Sequence, residues 1–136
     1  MLHPIRTAAL TAIVLAAGAT AAGATTPGSP KLLSCAGRPL VKPTATVVLS
    51  CADGNSEIKQ TDWSTWSAGG ATGTTDFGVN PCTPTCVASR MRFFPRSTVR
   101  LADAKRTASG LLFTRAVITY TFHGTRRTFV AYPPTR

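Results

Sequence analysis

Between Cys51 and Cys86 the chain carries three of its four cysteines, both tryptophans and a dense set of turn-forming residues. It reads Cys51-Ala52-Asp53-Gly54-Asn55, then Trp63-Ser64-Thr65-Trp66. A Gly/Thr-rich run and Asn80-Pro81-Cys82-Thr83-Pro84-Thr85-Cys86 follow. Residues 68–79 hold four glycines and four β-branched residues, a mixture that opposes a helix. A segment of this kind folds as short strands and turns pinned by cross-links.

The flanking sequence follows the same pattern. In residues 44–51, Val47, Leu49 and Cys51 fall on one face and Thr46, Val48 and Ser50 on the other, which predicts a strand. Asp53-Gly54 then predicts a hairpin turn, because both residues tolerate positive φ. A second strand is expected over residues 57–66, where alternation is weaker, and a third over 72–79. In the third, glycine marks a bulge or a close backbone approach. Met91 and Phe93 are expected inward and Arg90 and Arg92 outward, with Pro95 breaking the strand. Residues 97–102 alternate again, and 103–110 read as a polar loop. Residues 111–122 form the longest predicted strand, and His123-Gly124 turns the chain into a last strand over 126–132. No helical periodicity is found beyond residue 24. The predicted fold class is all-β: a small antiparallel sandwich or barrel-like sheet.

The N-terminus points to export. Arg6 precedes an uncharged run rich in Ala, Leu, Ile and Val that closes on Ala22-Gly23-Ala24, the small-x-small pattern of signal peptidase sites. Residues 1–24 therefore read as a cleaved signal peptide, with cleavage after Ala21 as the alternative. The run is too short and too diluted by Gly and Thr for a membrane span, so no transmembrane segment is expected after cleavage. Leu32-Leu33-Ser34-Cys35 has the form of a lipobox, but Pro27, Gly28, Pro30 and Lys31 separate it from the apolar run. Residues 25–34 read as a flexible leader and 35–136 as one secreted domain.

In an oxidising compartment four cysteines read as two disulfides, not as a metal site. Three pairings exist. Spacing favours Cys35–Cys51, which ties the start of the domain to the end of the first strand, and Cys82–Cys86, which closes a rigid turn. A redox role is disfavoured, because Cys82-x-x-x-Cys86 has three intervening residues and no helix behind it. No metal and no cofactor are expected.

Charge is segregated. Residues 25–89 balance Lys31, Arg38, Lys42 and Lys59 against Asp53, Glu57, Asp62 and Asp76. Residues 90–136 hold ten basic residues, nine of them Arg, against Asp103 alone. Arg90, Arg92, Arg100, Arg115, Arg126 and Arg127 lie on predicted solvent faces, and shared on one sheet face they make a platform for an anionic polymer. A merely solvated Arg-rich surface is the competing reading. Specific nucleic-acid recognition is not expected, since Phe93, Phe94, Tyr120 and Phe122 suit a core rather than a stacking platform. Trp63 and Trp66, three apart in a strand, are expected on opposite faces, leaving one ring for stacking on a sugar. Against this stands burial of both rings in a small core. His123 sits in a predicted turn, without a G-x-S-x-G or other nucleophile signature, so the chain reads as non-enzymatic.

Cys51-Ala52-Asp53-Gly54-Asn55, Trp63-x-x-Trp66, the Gly/Thr run and Asn80-Pro-Cys-Thr-Pro-Thr-Cys86 make the chain similar to a group of small, uncharacterised exported proteins of high-GC Gram-positive bacteria. The resemblance implies export and a disulfide-bonded domain, with no activity attached. Arg96 departs from the group's pattern, which more often has Val after an aromatic-Pro pair. Two functional expectations follow: an envelope-associated binding protein for anionic polymer, or a small inhibitor of an exported protease that presents the Cys82–Cys86 loop.

Overall fold

A computed structural model describes residues 28–136, and the expected signal peptide lies outside the described residues. Eight strands follow one another with no helix between them: β1 (Leu32–Leu33), β2 (Pro39–Leu40), β3 (Val47–Val48), β4 (Ser56–Ser67), β5 (Gly70–Val79), β6 (Arg92–Thr107), β7 (Gly110–Phe122) and β8 (Thr125–Ala131). Strands β3 to β8 form one antiparallel sheet in sequence order, and β1 and β2 form a separate small hairpin. The sheet curls into a half-barrel. Its inner side carries a single core to which β1 and strands β3 to β8 all contribute, from Leu32, Val47 and Ile58 to Phe77, Leu101, Phe113, Ile118 and Ala131.

The turns explain the meander. His123 and Gly124 both have positive φ, at 48° and 74°, as a two-residue hairpin loop with the twist of its strands requires. Gly54 takes φ 67° in the predicted β3–β4 turn, where the Asn55 amide donates to the Asp53 carboxylate at 3.1 Å. The Ser50 and Ser56 hydroxyls bond across the base of the same turn.

The curl comes from irregularities that a strict two-residue alternation does not contain. Strand β4 shifts register against β5 twice, between Lys59 and Asp62 and between Trp63 and Thr65. Each shift inserts one residue and reverses the facing of everything after it. Inward positions therefore fall at Ile58, Thr61, Trp63 and Trp66, not at every second residue. Trp63 and Trp66 were expected on opposite faces. They share the inner one, edge to face, with ring centroids 4.8 Å apart.

Strand β6 is likewise one 16-residue strand, not two segments and a loop. Pro95 does not break it, because Pro95 and Arg96 together face Asp76 in a bulge. The missing proline N–H costs no ladder bond there, and Arg96 turns at φ 56°. This shift reverses the expected facing of the aromatic pair. Phe94 packs against the core, while Phe93 is 43% exposed, lies across Gly78 on the outer side and carries the Lys59 ammonium 3.6 Å above its ring. Residues 103–107, expected as loop, continue the strand, and only Ala108 and Ser109 turn. The strand expected over 44–51 reduces to Val47–Val48, although Val47 and Leu49 are buried as expected.

The flexible leader expected over 25–34 is corrected over its described part, residues 28–34. Leu32 and Leu33 are buried, and the Lys31 amide and carbonyl bond to Leu111 and Phe113 of β7, each at 2.9 Å. Strand β8 stops opposite Ala116. The β7 edge before that point would otherwise be unpaired, and residue 31 covers it. The disulfide Cys35–Cys51 ties this cover to the β3–β4 turn, and Cys82–Cys86 closes a loop between β5 and β6. No helix among the described residues is long and apolar enough to cross a membrane.

Candidate functional site

Register places the outward side chains in rows across the sheet. Asp62, Thr74, Thr98, Thr119 and Thr128 are successive partners on β4 through β8. With strands spaced about 4.8 Å apart, the row spans about 19 Å. The neighbouring row is Thr65, Thr72, Arg100, Val117 and Val130. On the other side Thr121 pairs with Arg126, and the Pro95–Arg96 bulge brings Arg96 beside them. Pro95, Arg96, Thr98, Thr119, Tyr120, Thr121 and Arg126 line an open groove of about 570 Å³. A second open groove, of about 350 Å³, is lined by Thr65, Ser67, Thr72 and Arg100 among others.

The predicted arginines do not share one face. Arg126 and Arg127 are adjacent in a strand, so they point to opposite sides. Arg100 and Arg126 face outward. Arg127 stands opposite the inward Tyr120, and Arg92 opposite Val79, so both belong to the end of the barrel. Arg90 lies before β6 and is exposed. Arg115 is engaged by Asp103, Nε to carboxylate at 2.6 Å. That bond holds the Asp103 carboxyl below its usual range and the Arg115 guanidinium above its own. This is the one salt bridge among the described residues. Arg92, Arg96, Arg100, Arg126 and Arg127 therefore stand without a carboxylate partner there.

Arg96 is the site residue that alternation missed. It follows a proline at which the strand was expected to stop, and its facing depends on the bulge.

The tryptophans have structural roles. The Trp63 indole N–H donates to the Pro43 carbonyl at 2.9 Å and that of Trp66 to the Pro30 carbonyl at 2.8 Å. Both rings are half-buried against the core, so neither is the free sugar-stacking ring expected. His123 is exposed at the β7–β8 turn, edge-on to Phe122 with centroids 4.1 Å apart. Among the described residues no cluster of three or more His, Cys, Asp or Glu is placed to hold a metal ion.

Comparison of the chain with protein-family models, with curated proteins and with solved structures finds no match.

Proposed function

We propose that the protein is a non-enzymatic binding protein, exported and associated with the cell envelope, that holds an anionic polymer along the outer face of β5 to β8. The observation that carries this reading is the placement of Arg96, Arg100 and Arg126, none with a carboxylate partner, around a continuous row of threonine hydroxyls. Guanidinium groups suit phosphate and carboxylate. Flanking hydroxyls both donate and accept, as a chain that alternates anionic groups with alcohols requires. Two disulfides accord with an extracellular setting.

The inhibitor reading rests on the Cys82–Cys86 loop, where Val87 is 99% exposed. Protease clefts take extended chain, and here the Ser89 amide folds back onto the Thr85 carbonyl at 2.9 Å. The outer face is therefore the better-supported site.

The test is retention of the oxidised protein on purified bacterial cell walls across a salt gradient. Wild type is expected to bind and elute at moderate salt, and Arg96→Gln/Arg100→Gln/Arg126→Gln to elute early. Lys105→Gln/Arg106→Gln, at the far hairpin, is expected to elute with wild type. Equal early elution of both variants would reduce the face to bulk charge and sink the reading.

A further inference from the structure

The end of the half-barrel beside the His123 turn holds a second feature, separate from the outer face. Phe94, Tyr120 and Phe122 project inward there. The Phe94 ring lies 4.7 Å from Tyr120 and 5.9 Å from Phe122, centroid to centroid. With Val79 and Pro81 they line an apolar pocket of about 210 Å³. All three rings are only half-buried, so the core is not closed at this end.

The wall contributed by Pro81 is held covalently. Cys82–Cys86 closes the loop that follows it. The Asn80 side chain spans the same loop, accepting from the Cys82 amide at 3.0 Å and donating to the Cys86 carbonyl at 2.9 Å. A wall braced in this way does not have to be ordered when something binds.

Two cations stand at the rim. Arg92 and Arg127 line the same pocket, and the Arg127 guanidinium carbon lies 5.9 Å from the Phe122 ring centroid. All five carboxylate side chains of the sequence lie between Asp53 and Asp103. None of them reaches either arginine, since the one salt bridge among the described residues is Asp103–Arg115. Two guanidiniums over an open apolar pocket match a molecule with an apolar ring at one end and an anion at the other. The pocket, at about 210 Å³, exceeds the roughly 150 Å³ of a cavity that takes up benzene, so it has room for an aromatic ring.

We propose that this mouth is a binding site for an aryl anion. Its ring lies among Phe94, Tyr120 and Phe122, and its phosphate or carboxylate is gripped by Arg92 and Arg127. Tyr120 borders both this pocket and the outer groove, but the cations differ: Arg92 and Arg127 line the pocket, and Arg96 and Arg126 the groove.

Calorimetric titration of the oxidised protein with phenyl phosphate, inorganic phosphate and phenol tests it. Phenyl phosphate is expected to bind at least about tenfold more tightly than either fragment, since ring burial and the anion act together. Arg92→Gln/Arg127→Gln, both at exposed positions, is expected to remove that advantage, with an unchanged amide NMR dispersion showing that the fold persists. Arg96→Gln/Arg126→Gln is expected to leave phenyl phosphate binding unchanged. The proposal is overturned if phenyl phosphate binds no better than inorganic phosphate. It is equally overturned if the Arg92/Arg127 variant binds as wild type does, or if the loss follows Arg96 and Arg126 instead.

Discussion

At Gly73 a methyl group would stand 2.5 Å from the Asp62 carbonyl oxygen. The obstacle is backbone, so it cannot swing aside. Gly73 also lies opposite Trp63, whose indole occupies the inner side at that point. Gly73→Ala is expected to destabilise the protein by about 1–3 kcal/mol in chemical denaturation, the usual range for overpacking. Gln60 is the converse case. It sits at φ 50° and its backbone N–H donates to the Thr44 carbonyl at 3.0 Å. Gln60→Gly relieves the left-handed backbone and is expected to be neutral or to stabilise by up to about 1 kcal/mol. Gln60→Val, β-branched at positive φ, is expected to cost about 1–2 kcal/mol. Asp103 sets an acid dependence. Its hydrogen bond to Arg115 depresses its folded pKa. Its contribution is therefore present above the unfolded carboxylate value and is lost as pH falls through the folded one. Asp103→Asn keeps a residue that tolerates the local φ of 55°. The stability gap between wild type and this variant is expected to be level above about pH 5 and to shrink below about pH 4. A gap unchanged down to pH 2 would contradict the assignment.

At the scale of the strand, the bulges decide the architecture. The turns at Gly54 and at His123-Gly124 were legible, because these residues state their backbone needs in their own chemistry; the β4–β5 turn at Ala68-Gly69 was not. The existence of β4, β5, β7 and β8 was legible in β-branched and alternating residues. Facing was not legible beyond the first bulge of β4 or around Pro95, since one inserted residue reverses every later position and leaves no mark on composition. That is why Trp63 and Trp66 were separated in the sequence reading, and why Phe93 was expected inward in place of Phe94. It is also why Arg96 went unseen, while Arg100 and Arg126 were found. The non-glycine residues that carry positive φ within strands, Gln60, Arg96 and Asp103, are not types that announce it. Deleting Ser64 tests the point, because it removes one bulge and restores plain alternation after Trp63. The deletion is expected to leave Trp66 inward, now two residues after Trp63 and still opposite Ala71, and so to keep the near-UV signal of the paired indoles; loss of that signal would contradict the bulge assignment.

Over the whole molecule, two devices seal the β7 edge of a small core: the β1–β2 cover on that edge and the disulfide that ties it down. Cys35–Cys51 spans 16 residues, and its replacement by two serines is expected to cost about 3 kcal/mol by chain entropy. The Phe113 amide, bonded to residue 31, should then exchange faster than the β6–β7 ladder. The segregated charge is organised by the same fold, which distributes the unpaired arginines between the outer threonine face and the barrel end. The most direct test of the outer-face account is the salt dependence of affinity for an isolated anionic wall polymer, measured for wild type and for Arg96→Gln/Arg100→Gln/Arg126→Gln. The account predicts a linear fall of log K with log salt that is shallower in the variant by roughly 0.7–0.9 per arginine removed, or about 2 to 3 in all. An identical slope for the two proteins would contradict it.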